Sequence, residues 1–364
     1  MKKIEQQSQS KKSQIYLPSH ISFSSFMRQK KEPSFKHCKV ESFIHPHEGP
    51  IWSLVASPCG NYVASGGKEK RVLIFEILNT EPYIKAIKGF SGHKSDIVQL
   101  SWSEDNYLLS ASLDGTVKLW HPDQSACINS FQHDEALTAV AFKPGGSNIF
   151  VSCTFGMSAY IWNIEQNTVI NTLHFNSPPT STSFSPNGET VVVGCFNGFC
   201  YFYNSADASY ITQFIAGPRH KKTTIGKKIT SISFLDDERL LIASNDSRIR
   251  LYSMQNYSVI CKYLGHFSDE AQSNLSISPD KHFLMAPSER NGSVFIWRID
   301  NDDSSQHKKL FNQSQKDRST SFEGFQFGKK AEIVSAIFTH FTTATHLHAL
   351  VSDDEGNIYT IVSD

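Results

Sequence analysis

The chain has 364 residues, 39% of them hydrophobic and 26 of them Phe, which is enough apolar surface for a packed core and too much for a disordered chain. Lys plus Arg (35) equals Asp plus Glu (35), so no global charge points to nucleic acid or a membrane, and electrostatic function must come from local segregation. Seven cysteines without a C-x-x-C pair argue against a disulfide framework or zinc ribbon, and no apolar leader or run of about 18 apolar residues marks secretion or a membrane span, so the expected location is cytoplasmic.

In chain order, Met1–Pro33 carries seven Lys or Arg against two Glu, with Ser and Gln between them. Residues 1–35 read as a disordered basic tail. The first reading is an indifferent leader, and the second is attraction to anionic lipid, worth about 1 kcal/mol per cation near the surface. Lys39–Ile44 is strand-like and follows the tail. Beyond it a tripartite pattern recurs: a short apolar run (Ile51–Ser57, Ile97–Trp102, Leu137–Phe142, Thr180–Phe184, Ile229–Phe234, Ile333–Phe338), a polar turn, a second run, a tight turn and a third run. The third runs end at Phe75, Trp120, Trp162, Tyr203, Tyr252, Trp297 and Ile361, at spacings of 45, 42, 41, 49, 45 and 64 residues. Seven repeats of about 40–45 residues suit a radial array of four-stranded sheets. The long last interval contains the polar stretch 300–327, expected to be an inserted loop before blade seven.

The second repeat, GHKSDIVQLSWSEDNYLLSASLDGTVKLW, has a Gly-His start, an Asp-Gly turn and a final Trp, and it resembles the WD-repeat family. The resemblance covers about nine tenths of the chain and implies an all-β, seven-bladed β-propeller of four-stranded blades spanning residues 36–364. It also implies a buried structural tetrad, placed by position on His93, Ser110, Asp114 and Trp120. A buried Asp and a neutral His must each find partners or cost several kcal/mol. Such a mid-strand Ser lacks the exposure and oxyanion hole of a catalytic triad. Blade one offers His47, Ser65, Glu69 and Phe75; blade three has Gly156 where the Asp would stand; blade four lacks the His. The chain ends just after Ile358–Val362, so Lys39–Ile44 is expected to supply the outer strand of blade seven and close the ring.

The functional signal is the connection into blade five, GPRHKKTTIGKK, with Arg219, Lys221, Lys222, Lys227 and Lys228 and no acid. In WD propellers this connection emerges on the top face, where Arg248 and Arg250 from NDSRIRLY are expected beside it, as a partner-binding patch. A solvated loop is the bland alternative. GKKITSISF, ASNDSRIRLYSM and KDRSTSFEGF are similar to segments of the WD-repeat proteins that bind a Rab GTPase on recycling endosomes, and of their fungal relatives. That likeness implies a scaffold in membrane trafficking, peripheral on endosomes, whose partners include a Rab-type small GTPase or its effectors. In those proteins GTPase binding lies in a long extension before the propeller, and about 35 residues precede it here, so the expected contacts are those of the propeller itself.

The expected function is therefore a non-enzymatic scaffold, a monomeric propeller within a complex, binding an acidic protein or an anionic lipid head group. No cofactor, metal or nucleic acid is expected: His340, His346 and His348 lack ligand spacing, and the basic loop has no interleaved aromatics. A nucleic-acid-associated subunit and a propeller-fold hydrolase are the alternatives.

Overall fold

The computed structural model describes residues 22–28, 34–35, 37–81, 83–146, 148–217, 226–269, 272, 274–299, 318–319, 321–328, 332–343 and 346–363. Two strands, β1 (Ser24–Arg28) and β2 (Lys39–Ile44), precede the first repeat. Blade one is β3 (Ser53–Ala56), β4 (Tyr62–Gly66), β5 (Arg71–Ile77) and β6 (Ile84–Ser91); blade two is β7 (Ile97–Trp102), β8 (Leu108–Ser112), β9 (Thr116–Trp120) and β10 (Asn129–Gln132). Blade three follows as β11 (Leu137–Phe142), β12 (Ile149–Thr154), β13 (Ser158–Asn163) and β14 (Thr168–His174), and blade four as β15 (Pro179–Phe184), β16 (Thr190–Cys195), β17 (Phe199–Asn204) and β18 (Tyr210–Ile215). Blade five holds β19 (Ile229–Asp236), β20 (Arg239–Ser244), β21 (Arg248–Ser253) and β22 (Val259–Leu264). Blade six has an inner strand of two residues, β23 (Ser276–Ile277), then β24 (Phe283–Ser288) and β25 (Ser293–Arg298). After β26 (Arg318–Ser319) and β27 (Phe322–Gln326), blade seven takes β28 (Ile333–Phe338), β29 (His348–Asp353) and β30 (Ile358–Val362).

Each blade is an antiparallel meander whose middle strands are buried on both faces, which is why runs such as VVVGC (β16) are continuously apolar instead of alternating. Between blades, inner-strand hydroxyls stitch one sheet to the next. Ser53 Oγ accepts the Leu100 amide (3.1 Å), Ser101 Oγ that of Phe142 (3.1 Å), and Ser276 Oγ that of Phe338 (2.9 Å). These small residues satisfy inner-strand amides that have no further strand to pair with.

The ring closes as the sequence predicts. β2 pairs antiparallel with β30, from Lys39 opposite Val362 to Ile44 opposite Ile358, and Ser42 Oγ donates to Thr360 Oγ1 at 2.7 Å. The propeller therefore has no open seam.

Two boundary expectations are corrected. Part of the supposed disordered tail is a strand: β1 pairs with β27 in register from Ser24–Gln326 to Arg28–Phe322. Phe26 packs edge-on against Phe295 (5.1 Å between centroids) and Phe23 against Phe327 (5.4 Å), so the segment buries enough aromatic surface to be ordered. The supposed insertion 300–327 likewise ends in structure. β27 is the outer strand of blade six, and β26 adds in parallel to β22 of blade five. Residues 300–317 and 1–21 lie outside the described residues.

Candidate functional site

The tetrad of blade two is assembled from two strands, the turn between them and the connection that enters the blade: Ser110 on β8, Trp120 on β9, Asp114 in the turn and His93 in the connection. His93 Nδ1 lies 3.0 Å from Asp114, His93 Nε2 2.6 Å from Ser110 Oγ, and Trp120 Nε1 donates to Ser110 Oγ at 2.8 Å. One proton arrangement satisfies every group: neutral His93 donates from Nδ1 to Asp114 and accepts the Ser110 hydroxyl at Nε2. Burial lowers the His93 pKa, in keeping with the neutral ring. Burial alone would raise that of Asp114, but the Thr116 hydroxyl, the Lys94 amide and His93 outweigh it and hold the carboxyl at about 2. Ser110 is fully buried and engaged on both sides, so no substrate reaches a nucleophile here.

Other blades keep fragments of this network. Blade one substitutes Glu69, which meets His47 at 2.9 Å and Arg71 at 2.8 Å. In blade three, where Gly156 removes the acid, His133 turns Nδ1 to the Phe131 carbonyl (3.2 Å), and burial drops its pKa to about 4. Blade seven builds another solution: buried Asp353 accepts from Asn357 Nδ2 (2.7 Å) and from the Tyr359 hydroxyl (2.8 Å).

Blade five corrects the expectation for Arg250. Its guanidinium is 3% exposed and is held by the Asp246 carboxylate and by Ser244 Oγ (2.9 Å), so it belongs to the blade's interior and not to a surface patch. The physical reason is compensation. Among the described residues no His hydrogen-bonds Asp246, and the arginine two residues before Tyr252 folds inward to neutralise the buried carboxylate. Arg248 also reaches Asp246 (3.2 Å) and keeps two fifths of its side chain exposed. Lys227 is exposed, and Lys228 is half-buried, its pKa lowered by burial against the opposing pull of Glu289. Arg219, Lys221 and Lys222 lie outside the described residues. The described end of their loop is pinned: Gly226 donates to the Asn197 carbonyl (2.8 Å), and the Lys228 carbonyl accepts the Asn245 amide (3.0 Å).

That last hydrogen bond recurs in every blade and exposes a feature that sequence reading missed. The first residue of each turn between the second and third strands donates its amide to the connection entering the same blade. Leu113 donates to Asp96 (3.0 Å), Phe155 to Ala136 (3.0 Å) and Phe196 to Pro178 (2.9 Å). Lys68, Asn245, Glu289 and Asp354 do the same in blades one, five, six and seven. These seven positions are equivalent and ring one face of the propeller. They are polar in four blades and large, apolar and solvent-exposed in three consecutive ones, with Phe155 55% and Phe196 60% exposed. The signal was available as apolar residues in the turns LDG, FGM and FNG, where polar residues are the norm.

Residues 38–76, 84–121, 125–163, 167–204 and 219–253 match the WD domain, G-beta repeat. The chain belongs to the WD-repeat family. The first four matched units are each offset by one strand from a blade: 84–121 joins β6 of blade one to β7–β9 of blade two. That offset is why β2, the first strand of the first unit, ends up in blade seven. The chain is 28% identical over 354 residues to WD repeat-containing protein 44 of Xenopus laevis, covering 82% of this chain and 38% of that protein. It is 26% identical over 300 residues to an uncharacterised WD repeat-containing protein of Schizosaccharomyces pombe, covering 73% and 49% respectively. The chain thus spans less than half the length of these relatives. A WD-repeat propeller is an architecture for holding protein partners, the family being typically non-enzymatic. Among the described residues no helix is long and apolar enough to cross a membrane, and no group of three His, Cys, Asp or Glu could hold a metal ion. His348 is buried, its Nδ1 2.8 Å from Thr339 Oγ1.

Proposed function

We propose that this propeller is a non-enzymatic scaffold of membrane trafficking that captures an acidic segment of a protein partner on its turn-bearing face, beside blade five. The observation that carries the reading is the anchoring of Gly226–Lys228 to Asn197 and Asn245, which holds the described end of the connection, Lys227 included, against the turns of blades four and five. Lys227 and Arg248 stand there, and the sequence adds Arg219, Lys221 and Lys222. Rim charges of this kind act mainly on encounter rate. The likeness to Rab-binding WD-repeat proteins of recycling endosomes supports an endosome-associated, peripheral location and a Rab-type GTPase or its effector as partner.

The test compares wild type with the Lys221→Glu, Lys222→Glu, Lys227→Glu triple variant, which spares half-buried Lys228. Pull-down from lysate, flotation with phosphatidylserine vesicles and thermal melts are run in parallel. Loss of protein capture at unchanged melting temperature, with association slowing as salt rises past about 0.15 M, supports the reading. Loss of flotation alone moves the site to lipid. Undiminished capture by the folded variant refutes the basic-face reading.

A further inference from the structure

We infer that Phe155, Met157 and Phe196, with Leu113 beside them, form the apolar half of the same docking face, and that its occupant is an extended protein segment in which large apolar side chains sit next to acidic residues. The inference rests on the scaffold reading above and adds the partner's chemistry.

Three observations converge. At the seven equivalent turn positions, apolar residues occur only in the neighbouring blades two, three and four, so their exposure forms one continuous arc instead of scattered single side chains. Met157 adds a second sign. Its backbone φ is +61°, the left-handed region, at the turn position that glycine fills in blades two, four and seven (Gly115, Gly198, Gly356) and Lys70, Ser247 and Asn291 fill in blades one, five and six, so Met157 is the one large apolar side chain held there. A side chain is strained there, and this one is left 46% exposed, so folding gains little from it. Methionine beside aromatic residues suits a surface that must adapt to a ligand.

Charge then selects the occupant. The arc ends at Phe196, and the next residue's carbonyl holds Gly226 of the cationic connection, so Lys227 lies beyond one end. Toward the other side the charge is acidic: the connection into blade three sets exposed Asp134 and Glu135 between the turns of blades two and three, and at the blade-two end Asp96, whose carbonyl holds Leu113, accepts from Trp52 Nε1 at 3.3 Å. A segment with acids over blade five and apolar residues over blades four and three meets complementary charge, and the reversed orientation sets acid against acid.

The test is selection of a random dodecapeptide display library on the full chain, followed by anisotropy titration of the recovered peptides. The expected peptides carry two or more large apolar residues beside acids. Phe155→Ser and Phe196→Ser should each weaken them by roughly tenfold or more at unchanged melting temperature. Met157→Gly should raise the melting temperature while weakening capture. Recovered peptides that are purely acidic, weakened by Lys227→Glu and indifferent to the Phe variants, overturn this inference and leave the basic-face reading standing. Peptides weakened by the Phe variants and indifferent to the lysine reversals support the apolar arc and remove the acidic partner. A stabilised Met157→Gly protein with unchanged capture overturns the role of Met157.

Discussion

Replacing Asp114 by Asn tests whether the blade-two network works through charge or through shape. The substitution preserves volume, yet Asp114 Oδ2 accepts from both His93 Nδ1 and the Lys94 amide (2.7 Å), while Oδ1 accepts the Thr116 amide (2.9 Å) and hydroxyl (2.6 Å). An Asn amide turned either way points an NH2 group at two donors. Its cost should therefore approach that of Asp114→Ala. A carboxyl held at about 2 in place of its ordinary 3.8 corresponds to roughly 2 kcal/mol. For a domain of this size that is a fall of about 2–4 °C in melting temperature. The folded pKa is the lower one, so the contribution is complete above about pH 4 and disappears as pH falls toward 2, with about half gone near pH 3. Calorimetric melts of wild type, Asn and Ala variants across that range measure it. An Asn variant that melts with wild type at neutral pH would refute the network as drawn.

Arg250→Ala should strand the buried Asp246 carboxylate and cost about 3–5 kcal/mol, whereas Lys227→Glu should stay within about 0.5 kcal/mol; chemical denaturation of both variants separates an interior arginine from a surface cation. His133, His266 and His348 are each held by burial near 4, below their ordinary 6.5, so the stability they contribute is whole above about pH 6.5 and drains away as pH falls toward 4. Melts between pH 7 and 4.5 should show that decline, and a His266→Phe variant should make it shallower by one ring's share; a flat wild-type profile would count against neutral buried rings. Deleting residues 1–21 should leave the melting temperature unchanged, and deleting through Pro33 should lower stability by about 1–3 kcal/mol as β1 and the contacts of Phe23 and Phe26 go. Deleting through Ile44 should remove the outer strand of blade seven and yield aggregates, and a soluble, cooperatively folding product would contradict the closure.

Local pattern was sufficient for the architecture. Third strands recurring every 41–49 residues through blade six, each after a tight turn, fix the number of blades, because a strand's alternation and a turn's backbone demands are written in neighbouring residues. Ring closure was legible for the same reason: the last repeat is one strand short, and Lys39–Ile44 is left over. What the sequence could not weigh was competition for partners across the fold. Arg250 reads as a cation beside the basic connection, and only the buried Asp246 carboxylate and the Ser244 hydroxyl turn it inward. Residues 23–28 read as part of a polar tail, and only the edge of β27 with the rings of Phe295 and Phe327 gives Phe26 and Phe23 somewhere to go. Leu113, Phe155 and Phe196 stand about 42 residues apart, each unremarkable alone. Radial symmetry brings them to one face, and a surface made by superposing repeats exists only once the ring has closed.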